Sequence, residues 1–143
     1  MTMNRRERSA ILAAAPKDAV TRIAQKIQDE QTVQMLKAPQ KTLVMVKVRE
    51  SVGQSLFYLG EVLATECMVV VGGAKGASVM AGDDFDKCTA AAVIDGYFNL
   101  EAAAHKDEID TEIAALGQAQ KEARAATNRA LRRSQVNFNV MGE

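Results

Sequence analysis

Apolar residues recur with a helical period at the start of this chain and alternate with polar ones through its middle. Towards the end they thin to a narrow alanine stripe. Residues 4–15 predict a first helix, with Asn4 placed to cap it and Ile11 and Leu12 opening an apolar face. Pro16 stops that segment and suits the first turn of another. From there to Asp29 the apolar positions Ala19, Val20, Ile23, Ala24 and Ile27 give the i, i+3/i+4, i+7/i+8 stripe of an amphipathic helix.

The middle of the chain predicts strands. Thr32–Lys37 reads as a short one, and Ala38-Pro39-Gln40 as a turn, because proline cannot continue a sheet ladder. Leu43–Glu50 alternates strictly, with Val44, Val46 and Val48 on one face and Met45, Lys47 and Arg49 on the other. After the Ser51–Gln54 connection, Leu56–Leu63 predicts a third strand, bent near Gly60. Glu66–Val71 gives a fourth, and Ala77–Ala81 a fifth beyond the glycine turn 72–76. Short strands joined by short turns favour an antiparallel meander.

Asp83, Asp84 and Asp86 then open a helix from about Asp84, where carboxylates satisfy free N–H groups and suit the helix dipole. Small residues from Thr89 to Ala92 let this helix lie close on the sheet. Glu101–Arg133 has no proline and predicts one long helix. Its stripe of Ile109, Ile113, Leu116, Ala123, Ala126 and Leu131 is too weakly apolar to stabilise it alone, so it packs against another chain or reaches away. The tail 135–141 alternates again, as a strand added to a sheet edge would. The expected fold is α+β: N-terminal helices, an antiparallel sheet of four to five strands, one packed helix, and a long C-terminal helix with a tail. Residues 1–143 form one domain in this reading: helical lobe 1–30, sheet 31–82, packed helix 83–100, long helix and tail 101–143.

Composition narrows the function. Eighteen basic and eighteen acidic residues cancel, which argues against a nucleic-acid protein and leaves the free chain little protection against association. Aromatics are 4% of residues and Trp is absent, so seven Met fill gaps that rings would fill elsewhere. The run Ile11–Ala15 is too short for a secretory signal, and no stretch approaches the ~20 apolar residues of a membrane span. A cytoplasmic protein with reduced Cys67 and Cys88 is the simplest expectation.

Candidate chemistry is sparse. The Gly72-Gly73-Ala74-Lys75-Gly76 loop lacks the Gly-Lys-Ser/Thr triplet of a phosphate loop, so a plain turn is expected, with Lys75 free to touch an anion. Asp83, Asp84 and Asp86 could hold Mg²⁺, but helix capping explains them as well. Cys67, Cys88 and His105 are too few for a zinc site, and a Cys–His pair would rest on the single histidine. Arg124, Arg129, Arg132 and Arg133 suit a helix C-terminus or face an acidic partner. No residues are assigned as catalytic, cofactor-binding or metal-binding; the residues themselves point to a binding or scaffold subunit.

One resemblance runs through the chain. Phe57-x-x-Gly60-Glu61, Val69-Val70-Val71, Gly76, and above all Gly82-Asp-Asp-Phe-Asp-Lys-Cys-Thr-Ala-Ala-Ala-Val-Ile-Asp-Gly96 are similar to the PhnG subunits of bacterial carbon–phosphorus lyase systems. Arg8 to Leu12 fits the family's opening. Arg133, Val136 and Phe138 fit its closing motif, with Asn137 and Asn139 where the family often has Asp and an aromatic. The resemblance implies a subunit of the complex that joins methylphosphonate to the ribose of ATP with release of adenine. It implies PhnI, PhnH, PhnJ and PhnL partners, with PhnI carrying the nucleosidase chemistry. ATP is then a substrate of the complex, this chain binds no cofactor, and a homodimer within the complex is compatible. The alternatives are a stand-alone Mg²⁺-dependent nucleotide or phosphate-ester enzyme, or a homo-oligomeric scaffold built on the last helix.

Overall fold

The computed structural model describes residues 3–134. Four helices and a three-stranded antiparallel sheet follow in the order α1 (Arg5–Ala14), α2 (Lys17–Glu30), β1 (Val33–Arg49), β2 (Leu56–Val71), β3 (Ala74–Ala81), α3 (Phe85–Asn99) and α4 (Lys106–Arg133). The helix starts follow local chemistry. Asn4 accepts from the Glu7 N–H at 2.8 Å, and Asp84 accepts from the Lys87 N–H at 3.1 Å. Pro16 stands at the N-cap of α2.

Three strands stand where four to five are expected. The stretches 32–37 and 43–50 are one strand, and 56–63 and 66–71 are another. Pro39 does not end β1 because β1 is an edge strand, with order β1-β2-β3. The proline sits in an irregularity between Lys37 and Gln40, where no ladder bond is required of it. Gly60, at φ 156°, takes up a bend without breaking β2, and a register shift between Val46 and Lys47 leaves Leu59 unmatched.

The core lies where α3 crosses the sheet. Cys67, Val69 and Val71 of β2 point into it, with α3 covering them from Cys88 to Tyr97. A helix apolar on nearly all sides belongs in the middle of a protein; α3 contacts β2, β3, α1 and α2. Two glycines set its distance from the sheet. A Cβ on Gly76 would overlap the Ala92 carbonyl oxygen and the Gly96 nitrogen, and one on Gly96 would lie 2.7 Å from Val71 Cγ2. The small residues of 89–92 are therefore part of a close crossing. From α2, Val20, Ile23, Ala24 and Ile27 complete the core.

Two elements leave this body. β3 pairs with β2 only along 64–71, so residues 41–63 form a two-stranded arm. Every residue from Leu43 to Leu63 except Val46 is exposed. In α4, only Ile109, Ile113 and Gly117 are buried, and residues 121–134 are exposed throughout. The expectation that this helix packs against another chain or reaches away fails for its first half, where Ile109 and Ile113 join this chain's own core, and fits only the exposed residues 121–134. Phe138 and the rest of the tail 135–143 lie outside the described residues.

Candidate functional site

Asp95 is the most buried carboxylate, 5% exposed within an otherwise apolar helix. Its two oxygens take the Arg5 guanidinium in a fork, Nε at 2.8 Å and Nη2 at 2.7 Å. Oδ2 also accepts the Ala77 N–H at 2.9 Å. The carboxylate thus ties α1, α3 and β3 together, and the Arg5 guanidinium is raised by this hydrogen bond and charge. Arg8, one turn on, lies over the Phe98 ring at 3.9 Å. Desolvation lowers the Arg8 guanidinium; Asp95 and Asp110 partly offset this. With Ser9, Leu12, Ser78 and Met80 these arginines line a cavity of about 260 Å³ between α1 and β3.

The only histidine lies just beyond the C-terminal end of α3, against Tyr97. His105 Nδ1 stands 3.1 Å from Glu30 Oε2, which also accepts the Tyr97 hydroxyl at 2.8 Å. The His105 N–H donates to that hydroxyl at 2.9 Å. Hydrogen bonds from His105 and then Tyr97 hold the Glu30 carboxylate below its usual range. The same bond raises His105, while burial first and Glu30 second raise the Tyr97 phenol. Glu30, His105, Lys26, Asp29, Glu108 and Ile109 line a cavity of about 280 Å³. A carboxylate orienting a histidine is a feature of catalytic sites, but the hydroxyl beside it, that of Tyr97, is engaged by Glu30 and the His105 backbone N–H, and among the described residues no Ser, Thr or Cys lines the cavity.

The residues singled out in the sequence fall into structural roles. Gly72 and Gly73, at φ 55° and 96°, make the two-residue turn between β2 and β3, which needs positive φ at both positions. Lys75 is exposed on β3, and its carbonyl accepts from Asn99. Asp84 caps α3, and Lys17 bridges it at 3.4 Å and Asp86 at 3.5 Å. Among the described residues, no three His, Cys, Asp or Glu side chains converge as metal ligands would. Cys67 and Cys88 are buried, and desolvation raises both thiols. Cys88 donates to the Thr65 carbonyl at 3.3 Å, whereas His105 pairs with Glu30, so the structure does not bring a Cys–His pair together. Arg124, Arg129, Arg132 and Arg133 stand exposed on the projecting part of α4. With Lys121 they make five cations against the single carboxylate of Glu122.

The surfaces suited to partners are the two projections. Cross-strand pairing sorts the arm into two faces. Val44 lies opposite Val62, Val46 opposite Gly60, and Val48 opposite Phe57, so one face carries no polar side chain at these positions. The other pairs Leu43 with Leu63, Met45 with Glu61, Lys47 with Tyr58 and Arg49 with Leu56. Val44, Val48, Phe57 and Val62 are all exposed. A two-stranded ribbon is marginal in water, and an apolar patch of this kind marks a protein contact.

Comparison with known proteins agrees with the order of motifs along the chain. The family model described as phosphonate metabolism protein PhnG matches residues 3–142. No curated protein sequence matches. Among the described residues, no helix is long and apolar enough to cross a membrane.

Proposed function

We propose, from the premise that the chain belongs to the PhnG family of phosphonate metabolism proteins, that it is a non-catalytic or partly catalytic subunit of the carbon–phosphorus lyase complex. In this reading the complex joins methylphosphonate to the anomeric carbon of ATP, releases adenine and yields a ribose methylphosphonate triphosphate. PhnI, PhnH, PhnJ and PhnL supply the other subunits, and this chain contributes docking surface. ATP is a substrate of the assembly. The observation that carries the proposal is the arm 41–63, an apolar ribbon face that the described chain leaves uncovered. Such a face gains its stability from a partner.

Co-expression with the other subunits tests this. A stable complex is expected, and Val48→Asp, on the exposed apolar face, should weaken it without unfolding the free chain. A chain that elutes alone from its would-be partners at every salt concentration overturns the proposal. Calorimetry with ATP and Mg²⁺ separates the stand-alone enzyme, since micromolar binding to the isolated chain would favour it. The engagement of Asp84 and Asp86 by Lys17 and the α3 cap runs against that alternative.

A further inference from the structure

The cavity between α1 and β3 is lined by more hydrogen-bond donors than its acceptors can satisfy. Arg5, Arg8 and Ser9 line it, and Asp95 is its one carboxylate. That carboxylate is already engaged: Oδ1 takes Arg5 Nε, and Oδ2 takes Arg5 Nη2 and the Ala77 N–H. Arg5 Nη1 is left with no acceptor among the described residues. Arg8 is in a sharper position. It is 7% exposed, and among the described residues no oxygen accepts from its guanidinium. The Phe98 ring, 3.9 Å from Cζ, offers π electrons but no lone pair. Asp95 and Asp110 act on Arg8 only as charges at a distance. Asp110 Oδ1 is itself buried with no partner among the described residues, so it does not meet the guanidinium.

A buried guanidinium with unmet donors is unfavourable, and a bound anion relieves it. Burial pushes the Arg8 guanidinium down because no hydrogen-bond acceptor offsets its lost hydration. Two guanidinium groups against one carboxylate leave the lining net positive. The volume is about 260 Å³, below the ~300 Å³ at which pockets for drug-sized ligands begin. It is large enough for an anion of phosphate size and too small to enclose a nucleotide. Leu12, Met80 and Ala91 make part of the wall apolar, which suits one alkyl substituent on that anion. A planar guanidinium fork matches two oxygens of a phosphate group, and a tetrahedral anion keeps a third oxygen for other donors. A carboxylate has no third oxygen to offer.

We propose that this cavity binds a small tetrahedral oxyanion of the phosphate class, with Arg8 as the principal donor and Arg5 Nη1 and the Ser9 hydroxyl beside it. Asp95 is a positioning residue for the site, because its fork fixes the Arg5 guanidinium. The anion is either inorganic phosphate or the charged end of a small alkyl phosphonate, which share this chemistry. The inference goes beyond the subunit reading and concerns the isolated chain, so its failure leaves the docking of the arm untouched.

The test titrates the full chain with inorganic phosphate and, separately, with methylphosphonate, at an ionic strength held constant by chloride. Calorimetry should show a single saturable site for at least one of them. Tighter phosphate identifies the free anion as the occupant, and tighter methylphosphonate an alkyl phosphonate; either supports the site. In heteronuclear NMR of the same titration, the Arg8 Nε–H and the backbone amides of Ser9 and Ala77 should move together. Arg8→Lys keeps the charge and loses the fork, so it should weaken binding roughly tenfold with circular dichroism unchanged. If that variant does not fold, the shifts of the native chain decide. Four results would overturn the proposal. They are no saturation with either anion at tens of millimolar, shifts that trace to the exposed arginines of α4 instead of Arg8, and full affinity in folded Arg8→Lys. The fourth is acetate bound as tightly as phosphate, which would make the cavity a seat for a partner's carboxylate side chain.

Discussion

Asp95 spans the three elements that meet at the core, and the chain separation of its partners explains why its role could not be read locally. Arg5 lies ninety positions away and Ala77 eighteen. The one local signal is a carboxylate in an alanine-rich stretch whose other positions are buried. Asp95→Asn should destabilise by about 2 kcal/mol, because one oxygen becomes a donor facing Arg5 or Ala77 N–H. Arg5→Ala should cost about half as much, since Arg5 is 60% exposed and its pair partly screened. Urea titrations of the two variants give the comparison. Gly76 is the second such residue. Gly76→Ala pushes a methyl into the backbone of α3, which cannot rotate away, and should cost about 3 kcal/mol by the same measurement. The glycine is visible in the sequence, but only the crossing with Gly96 shows why no side chain fits there.

The helices were legible because their boundaries are chemical: Asn4, Pro16 and Asp84 stand at the caps. The strands were misdivided because Pro39 is read as a turn and Ala64-Thr65 as a gap between two runs, whereas an edge strand absorbs the proline and β2 continues through Ala64 and Thr65. The start of α4 is shorter than Glu101 suggests, for His105 is held outside the helix by Glu30 and Tyr97. That tether makes α4 docking pH-dependent. Protonated His105 is favoured in the folded state, so its contribution is complete below its ordinary value of about 6.5 and fades as pH rises through its higher folded value. Glu30 is depressed, so its contribution is present above the ordinary carboxylate value and fades only as pH falls through its lower folded value. The urea midpoint of the native chain should therefore fall as pH rises above about 6.5, and His105→Gln should flatten that fall. In hydrogen exchange, α4 should divide near Gly117: protected amides before it, and rapid exchange from Lys121 onward, where nothing is buried.

As a molecule, this protein is a compact helix-on-sheet body with an arm and a helix held out from it. The alternation of Val44, Val46 and Val48 made one face of the arm legible, but not that the described chain would leave it bare. Periodicity reports which residues share a face, and burial depends on whether another layer exists. Replacing residues 44–62 with a short Asn-Gly turn should leave the melting temperature within about 5 °C, while abolishing capture by co-expressed lyase subunits. The central place of α3 also has a consequence during synthesis. The sheet is complete once Ala81 has been made, yet the helix that covers it ends at Asn99, and the Arg5 fork closes only with Asp95. At the usual pace of translation the nascent chain therefore carries the core face of β2, with Cys67, Val69 and Val71, uncovered for a few seconds. Slow codons between Gly82 and Asn99 would prolong that interval, and the yield of soluble protein would fall with it.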